Sequence, residues 1–424
     1  MRRQVPNRIF TVIMSSELGN NMLLPLLAFI FFAANSPLFS QSVSTAHRSV
    51  LFGLCLSLYK IGGVISCGLI TALSDYFGRK FALNCTLLGL LIVSSGGAAA
   101  LYLHSPLLLI GSFFLGGLLD TNLATGPAIA GDISDAQTRV KNMATMQCVI
   151  AFGACLGPVI GGQLANHSFW LQPAYATPFL IAAVIAMISL IMIHYCPETL
   201  PKKSDSSRIS IKQLGKDYWQ LFQTKQIAWL FFLLILCQLS WSSYYEFIPP
   251  TLKNVFHFTP ATVGIFVGLI AFWLIIAAGV VIRILLRWFN YRQLLWLSSG
   301  AVALGTLMSL AASEHPLWAW SPYLLWSSAL PTAMGDVIFF SLFVSFLSQA
   351  VSPQQQGKAM GLTRTIAWLV WSLTALLGGC LLAWHPNGAL LFAPIGSLIL
   401  LAVFGFCSQP FRFIHQESGY DSVS

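Results

Sequence analysis

Long apolar segments recur along the whole chain, and they limit the possible folds more than any other feature. About 12 runs of roughly 20 to 25 residues follow one another, each long enough to cross a bilayer core as a helix. Of the 424 residues, 56% are hydrophobic and only 8% are charged, too few charges to cover a soluble fold of this length. We therefore predict an all-α multi-pass membrane protein with about 12 transmembrane helices.

The placement of positive charge predicts the orientation of the chain. Of the 22 Lys and Arg residues, all fall on one side of the predicted spans except Arg48 and Lys253 on the other side and Lys60 and Arg364 within spans. This asymmetry follows the positive-inside rule, so we expect a protein of the bacterial inner membrane with both termini in the cytoplasm. The net charge of +9 then reflects membrane insertion and implies no nucleic-acid partner.

A stretch that begins at Asp120 and ends at Gly162 occurs again, more loosely, from Asp336 to Gly379. Each copy starts with an aspartate in an apolar run, passes a polar turn that carries a base, and ends in small residues. The copies are offset by about 216 residues, roughly half the chain, as expected of a transporter built from parallel halves. We predict a first half at 1–196, a cytoplasmic linker at 197–226 that turns helical at about Ile209, a second half at 227–408 and a cytoplasmic tail at 409–424.

Charged residues within the predicted spans are the candidate functional groups. Each costs about 2.5–3.5 kcal/mol at mid-membrane, so we expect them to face the protein interior. We assign six such residues to a proton-coupling and substrate cavity: Glu17, Lys60, Asp120, Glu246, Asp336 and Arg364. Asp120 and Asp336 occupy equivalent mid-span positions, where a carboxyl group could carry a proton. The alternative is a set of fixed ion pairs that only determine packing, with Glu246 and Arg364 close enough to span ends to reach the interface.

Sequence patterns that would indicate other activities are missing. The nine Cys residues are scattered, with no CxxC motif and no Cys/His cluster, so we predict reduced thiols, no metal site and no cofactor. No Gly-rich loop precedes a Lys-Ser or Lys-Thr pair, so ATP-driven transport is unsupported. No nucleophile, histidine and acid gather at one depth, so we do not expect an enzyme.

The loop between the second and third predicted spans carries the motif SDYFGRK, and we predict that it forms a cytoplasmic gate. The glycine permits a tight turn, the two bases hold the loop in the cytoplasm, and the first acid can pair with a base or lie at a helix N-terminus. Two acids at the end of the fourth span are natural partners for Arg79. The predicted gate residues are Asp75, Gly78, Arg79, Lys80, Asp132 and Asp135.

The fifth span carries a small-residue motif that predicts close helix packing. Small residues four apart let another helix approach closely, and the proline bends the helix. The motif consists of Gly153, Gly157, Pro158, Gly161 and Gly162. The eighth span offers a matching small face at Gly264 and Gly268, so we predict that spans 5 and 8 pack together.

These two motifs resemble those of the major facilitator superfamily. The SDYFGRK loop is similar to the signature loop of the superfamily, and the fifth-span motif resembles that of its drug:proton antiporter branch, which includes the tetracycline exporters. The resemblance implies 12 helices in two pseudo-symmetric six-helix halves, with spans 1, 4, 7 and 10 around a central cavity, and Glu17, Asp120, Glu246 and Asp336 lie on those spans. The chain departs from the pattern at Thr71, where glycine is usual, and at Phe113, where that branch usually has arginine. Glu17 is displaced by about one residue from the span-1 acid of the branch.

The sequence therefore favours a proton-coupled secondary transporter that exports a small solute by antiport. Import of a polar or anionic metabolite by proton symport, for example a carboxylate or siderophore, is the alternative, because of Lys60, Arg364 and the missing span-4 arginine. A membrane-embedded enzyme or a sensor with a transporter fold is the alternative from another class. The expected partners are the solute, protons and the lipid bilayer, and we expect a monomer.

Overall fold

The computed structural model describes residues 4–135, 137–166, 174–200, 211–352 and 355–406. Within these ranges the regular structure is helical, without a β-strand. In the same ranges, 12 segments are helical, long and apolar enough to cross a membrane. The predicted all-α multi-pass membrane fold is thus confirmed.

We number the membrane spans 1 to 12 in chain order. The first six are Arg8–Phe32, Thr45–Cys67, Arg79–Tyr102, Pro106–Asp132, Lys141–Asn166 and Ala176–His194. The second six are Lys225–Asn254, Pro260–Trp288, Tyr291–Glu314, Ser321–Ala350, Gln356–Trp384 and Gly388–Gly405. The sequence predicts most of these boundaries to within a few residues, because the apolar runs end where charged or turn-forming residues begin.

Several spans depart from a single regular α-helix, while the other helices are continuous. Span 1 contains the helices Gln4–Leu23 and Leu27–Phe32 joined by a 3₁₀ turn at Leu24–Leu26, where Pro25 cannot donate a backbone hydrogen bond. Span 4 consists of two helices, Pro106–Leu119 and Asn122–Asp132. Span 8 consists of the helices Pro260–Ile276 and Ile282–Trp288, joined by a π-helix at Ala277–Val281. Span 12 begins with a 3₁₀ turn at Gly388–Leu391, which precedes the helix Phe392–Phe406.

Residue contacts group the chain into two compact units. Unit 1 comprises Met1–Ser210, Ile248–Phe272 and Trp371–Ala389, and unit 2 comprises Ile211–Phe247, Trp273–Val370 and Leu390–Ser424. Spans 7, 8 and 11 therefore each begin in one unit and end in the other. The division into halves at 1–196 and 227–408 follows the internal duplication and stays a prediction.

Each unit has its own apolar core. In unit 1, side chains of spans 1, 3, 4 and 5 pack together, among them Ile13, Leu87 and Ile129. In unit 2, the core includes Phe231 of span 7 and Phe343 of span 10, whose rings lie 5.9 Å apart. These cores hold the polar groups of each unit at fixed depths along the spans.

The segment between the sixth and seventh spans contains a helix, Ile211–Gln223. The sequence predicts helix from about Ile209, and the structure is helical from Ile211, the first residue that it describes after Leu200. Leu221 of this helix is buried in the core of unit 2. Part of the predicted linker, 201–210, lies outside the described residues, as does the predicted tail from 407 onward.

The joint between spans 2 and 3 is shorter than the sequence indicates. The helix of span 2 continues to Phe77 and the helix of span 3 begins at Arg79, so Gly78 alone joins them. Its φ of 115° lies in a region that side chains disfavour, which explains why this position carries glycine. The expectation of a seven-residue loop from Ser74 to Lys80 is therefore wrong. Asp75 lies in the last helical turn of span 2, not at a helix N-terminus, and its side chain lies outside the described residues.

The small residues of span 5 contact two other helices within unit 1. Gly162 faces span 8, where a Cβ atom built on it would lie 3.2 Å from the Cα of Gly264. A Cβ atom on Gly264 would collide with the carbonyl oxygen of Pro158, and one on Gly268 would lie 2.8 Å from the carbonyl oxygen of Cys155. Spans 5 and 8 thus meet backbone to backbone.

Span 5 also contacts span 1, which the sequence analysis does not anticipate. A Cβ atom on Gly153 would lie 2.5 Å from the Cβ of Glu17, and one on Gly157 would lie 2.9 Å from the Cβ of Asn21. Gly161 approaches the carbonyl group of Met22 in the same way. The motif therefore supports the helix that carries Glu17.

The contact between spans 5 and 8 leads to a stability prediction. Replacing Gly162 by Leu forces bulk into a backbone contact, so we expect the free energy of unfolding to fall by about 1–3 kcal/mol. Thermal unfolding of the purified protein in detergent measures the change. Gly111→Leu is the matched control, because a Cβ atom at Gly111 meets nothing within 4 Å. Equal melting temperatures for the two variants would contradict the observed packing.

Candidate functional site

Span 4 is interrupted in the middle of the membrane at Asp120 and Thr121. Asp120 has an extended backbone, with φ −78° and ψ 114°, and Thr121 has φ −131° and ψ 8°. One helix ends at Leu119 and the next begins at Asn122. Such a break exposes backbone groups that the bilayer cannot satisfy, so the protein must supply their hydrogen-bond partners.

Side chains of spans 2 and 3 supply these partners. The Ser66 hydroxyl donates to the carbonyl oxygen of Asp120 at 2.6 Å, and the N–H of Thr121 donates to Oγ1 of Thr86 at 3.1 Å. The N–H of Asn122 donates to Oδ1 of Asp120 at 3.3 Å, so the aspartate, one residue before the N-cap position Thr121, satisfies the first N–H of the second half-helix. The break is thus a built feature of the fold.

Glycines bring span 2 close enough to reach the break. A Cβ atom on Gly62 would lie 2.6 Å from the backbone nitrogen of Leu118, and one on Gly117 would collide with the carbonyl oxygen of Tyr59. Ser66 follows Gly62 by one helical turn and so lies on the same face of span 2. This contact sets the distance at which the Ser66 hydroxyl meets span 4.

Two carboxylates and an amide meet around the break. The Tyr59 hydroxyl donates to Oδ2 of Asp120 at 2.8 Å. Glu17 accepts a hydrogen bond from Asn21 at 3.2 Å, and it lies near the side chain of Asn122 and within electrostatic range of Asp120. All these residues belong to unit 1, and span 5 packs directly behind Glu17.

Asn122 connects the two acids. Its amide nitrogen donates to the Ser16 hydroxyl at 2.9 Å, and its side chain is only 1% exposed. Its amide oxygen makes no hydrogen bond within the described residues. A buried amide oxygen in this position can accept a hydrogen bond from a donor group that enters the site.

Lys60 contributes positive charge to the same region. It is only 5% exposed, its Nζ lies 4.5 Å from the ring centroid of Trp371 and 5.5 Å from that of Tyr59, and it acts electrostatically on Asp120. Contacts of this kind stabilise a cation by cation–π attraction. Trp371 belongs to span 11 but lies in unit 1.

Unit 2 holds the other three predicted cavity residues. Asp336 lies inside the continuous helix of span 10 and is buried, and the Cys237 thiol donates to its Oδ1 at 3.5 Å. Glu246 of span 7 is also buried, so it does not reach the solvent at a span end. The Arg364 guanidinium lies 5.5 Å from the ring centroid of Phe340. Asp336 therefore matches Asp120 in sequence position but not in backbone conformation.

The predicted gate residues lie together at the end of unit 1 where spans 2 and 3 join. Nε of Arg79 forms an ion pair with Oδ2 of Asp132 at 2.7 Å, and the Arg79 side chain also donates to the Ser74 hydroxyl. The ammonium group of Lys80 donates to the carbonyl oxygens of His194 and Cys196, which ties span 3 to the end of span 6. Asp135 instead accepts hydrogen bonds from the side chain and backbone of Thr138, which lower the pKa of this exposed acid.

Glu198 is a residue of this cluster that the sequence analysis missed. Its carboxylate accepts the N–H of Arg79 at 2.8 Å and the N–H of Lys80 at 3.2 Å. These are the first two residues of the span 3 helix, whose preceding residue, Gly78, has no side chain to cap it. Glu198 therefore caps a helix more than a hundred residues earlier in the chain, where its negative charge also favours the positive helix end. No local spacing could have indicated this pair.

The structure thus separates the predicted cavity residues into two groups. Glu17, Lys60 and Asp120 lie together in unit 1, and Asp336, Glu246 and Arg364 lie in unit 2. In unit 1 the additional polar contacts come from Tyr59, Ser66, Thr86 and Asn122, single residues of span surfaces that carry no recognisable motif. Within the described residues, no group of three or more His, Cys, Asp or Glu side chains is arranged to hold a metal ion.

A sequence model of the family described as Major Facilitator Superfamily matches residues 9–375. The chain belongs to this superfamily. The predicted resemblance is therefore confirmed. Members of the superfamily are also found among the curated proteins and solved structures that are similar to this chain.

Two curated relatives illustrate the range. The mouse protein "Solute carrier family 2, facilitated glucose transporter member 4" is 26% identical over 167 residues, which cover 38% of this chain and 31% of the relative. The Escherichia coli protein "Tetracycline resistance protein, class C" is 30% identical over 143 residues, which cover 33% of each chain. The chain thus matches only about a third of the length of these relatives.

Solved structures agree with the fold over almost the full length. The human organic anion transporter MFSD10 is 20% identical, with a TM-score of 0.66, and the match covers 95% of this chain and 99% of that chain. A bacterial homologue of the iron transporter ferroportin is 13% identical, with a TM-score of 0.71, covering 95% and 98%. At these identities the likeness shows the superfamily fold.

The cap at the span 4 break can be separated from the charge of Asp120. Asn is as good a helix cap as Asp, whereas Ala removes the acceptor, so we expect Asp120→Ala to lower the free energy of unfolding by about 1 kcal/mol and Asp120→Asn to change it little. Thermal unfolding in detergent compares the two variants with wild type. If both variants melt at the same reduced temperature, charge and not capping determines the role of Asp120 in stability.

Gly78 and Glu198 form a pair that a double-mutant cycle can test. Gly78→Ala introduces a Cβ atom at φ 115° that would collide with the Glu198 carboxylate, and Glu198→Ala removes the cap. We expect the double variant to be more stable than the sum of the single losses predicts, with a coupling of about 0.5–3 kcal/mol. Additive losses would show that the destabilisation by Gly78→Ala comes from the backbone conformation at Gly78 alone and not from a collision with Glu198.

Proposed function

We propose that this protein is a proton-coupled secondary transporter that moves a small solute by alternating access and acts as an exporter by antiport. The observation that carries the proposal is the pair of carboxylates at the break of span 4, where Glu17 is buried and Asp120 is half-buried. Charged groups within a membrane are costly and mark ion or substrate pathways. Broken helices at mid-membrane are typical of coupling sites in secondary transporters.

The charges around the break favour the uptake of a single proton. With all groups ionised, Glu17, Asp120 and Lys60 carry a net charge of one negative in a buried place. A proton brings this sum to zero. An anionic or cationic solute would change the net charge of the site again. The binding of the solute is thereby linked to the binding of the proton.

Hydrogen bonds favour different roles for the two acids of unit 1. Asp120 accepts from the Tyr59 hydroxyl and the Asn122 backbone, both of which stabilise its ionised form. Glu17 lies near the side chain of Asn122, whose amide oxygen has no hydrogen-bond donor within the described residues. A protonated Glu17 can donate to that oxygen. We therefore propose that Glu17 carries the proton in this conformation and that Asp120 is a fixed charge, while Asp336 is the candidate carrier of unit 2.

Export is favoured by the tetracycline resistance relative and by the span 5 motif. The positive-inside pattern supports a bacterial inner membrane protein with cytoplasmic termini, and we propose that it works as a monomer. In this orientation the ion pair between Arg79 and Asp132 lies at the cytoplasmic end. We propose that it latches this end when the site faces outward and breaks when the site faces the cytoplasm.

Proton-coupled import of a polar or anionic metabolite is the second candidate. The buried Lys60 favours it, because an ammonium group flanked by Trp371 and Tyr59 can bind a carboxylate solute. Arg364 offers a second cation in unit 2. In this case substrate and proton would move in the same direction.

Proton flux in liposomes tests the proposal. Purified protein is reconstituted with a pH-sensitive dye inside, and a panel of solutes is added under an imposed proton gradient. We expect a transported solute to trigger proton flux that Glu17→Gln abolishes. Asp120→Asn, which keeps the helix cap, is expected to weaken the coupling by altering the local charge. The direction of the flux distinguishes antiport from symport.

Glu314→Gln is the matched control, because it removes an exposed acid at the last residue of span 9 that belongs to neither the predicted cavity nor the predicted gate. It should leave flux unchanged. If solute moves while proton flux is the same in wild type, Glu17→Gln, Asp120→Asn and Asp336→Asn, proton coupling through these acids is wrong. Flux that is lost only in Asp336→Asn would move the coupling site to unit 2.

A further inference from the structure

A group of arginines lies where spans 8 and 9 join in unit 2. Arg283, Arg287 and Arg292 are all exposed there. The chain contains no Asp or Glu between Glu246 and Glu314, so no acid of this segment balances them. The end of unit 2 is therefore locally rich in positive charge, with guanidinium groups that suit bidentate contact with phosphate oxygens.

A groove begins at Arg292 of this group and continues along span 9. It has a volume of about 880 Å³ and is lined by residues that include Arg292, Trp296, Leu297, Gly300, Ala301 and Leu304. Its lining is polar at the Arg292 end and apolar beyond Trp296. Gly300 leaves this part of the groove open, since a Cβ atom on Gly300 would meet nothing within 4 Å. No side chain of the described residues fills the space beside Gly300.

The dimensions match one leaflet of a bilayer. From Arg292 to Leu304 the helix rises by about 18 Å at 1.5 Å per residue, compared with about 15 Å for half of the hydrocarbon core. A ligand of matching shape has an anionic head and an apolar tail of that length. The groove lies on a membrane span, so lipid is the molecule that surrounds it.

We propose that the groove binds an anionic phospholipid, with the phosphate at Arg292, Arg287 and Arg283 and an acyl chain along Trp296, Gly300 and Leu304. The arginine group selects the lipid headgroup by its charge. The acyl chain occupies the groove where Gly300 has no side chain. This site lies outside the coupling residues, and its existence does not depend on the proposed transport activity.

Thermal unfolding of the full-length protein in detergent, with added phosphatidylglycerol or phosphatidylcholine, tests the site. A ligand that binds the folded state raises the melting temperature, and the stabilisation grows with the logarithm of one plus the ratio of ligand concentration to Kd, so a concentration series yields an apparent affinity. We expect phosphatidylglycerol to stabilise wild type at lower concentration than phosphatidylcholine. Arg292→Gln should weaken the phosphatidylglycerol affinity by about fivefold, and Arg292→Lys by less.

Gly300→Leu tests the part of the groove that we propose holds the acyl chain. Leu at this position fills the groove without colliding with the protein, so we expect it to reduce stabilisation by phosphatidylglycerol. Gly111→Leu, at another glycine with open space around its Cβ position, should bind like wild type.

Three results would overturn the proposal. Equal stabilisation by both lipids would mean that the groove has no headgroup preference. Selective stabilisation that survives both Gly300→Leu and replacement of the three arginines would mean that the lipid binds elsewhere. A dimer in light scattering that Gly300→Leu converts to monomer would mean that a second copy of the chain occupies the groove.

Discussion

Backbone hydrogen bonds impose the strictest condition on a chain within a membrane, and the centre of span 4 meets it through side chains. Ser66, Thr86 and Asp120 replace the helical hydrogen bonds that Asp120 and Thr121 give up. This arrangement requires span 2 to approach span 4 at Gly62 and Gly117. Helix packing, the position of the acid and its capping role therefore depend on one another. A change at any of these positions affects the group that we propose as part of the coupling site.

The two sequence copies have diverged in their physical roles. Asp120 caps a half-helix and lies near Glu17 and Lys60, whereas Asp336 lies in an unbroken helix beside Cys237. Duplication preserves the spacing of residues along the chain but not the contacts that each residue makes. In unit 1, Asp120 is hydrogen-bonded to Tyr59 and to the backbone of Asn122, with Glu17 within electrostatic range, so this cluster is the stronger candidate for proton transfer.

The positions of the spans could be predicted from the sequence because a bilayer demands long apolar helices and excludes charge from their centres. The contact between spans 5 and 8 was predictable because small residues on both spans let the two helices approach closely, but the contact of Gly153, Gly157 and Gly161 with span 1 was not. The break at Asp120 was not, since its stabilising partners, Ser66 and Thr86, are common helix residues distant in sequence. The partition of span 7, 8 and 11 residues between two compact units also depends on tertiary contacts that no local pattern encodes.

Glu198 ties the start of the span 3 helix to the segment that follows span 6. Span 6 ends at His194, but the helix of span 3 receives its cap from a residue four positions later. A fragment cut at the membrane boundary would lack that cap, while one that extends through Leu200 would keep it, together with the backbone turn in which Thr199 and Leu200 donate to the same carboxylate. The stretch of chain that stabilises the start of span 3 is thus defined by a hydrogen bond and not by hydropathy.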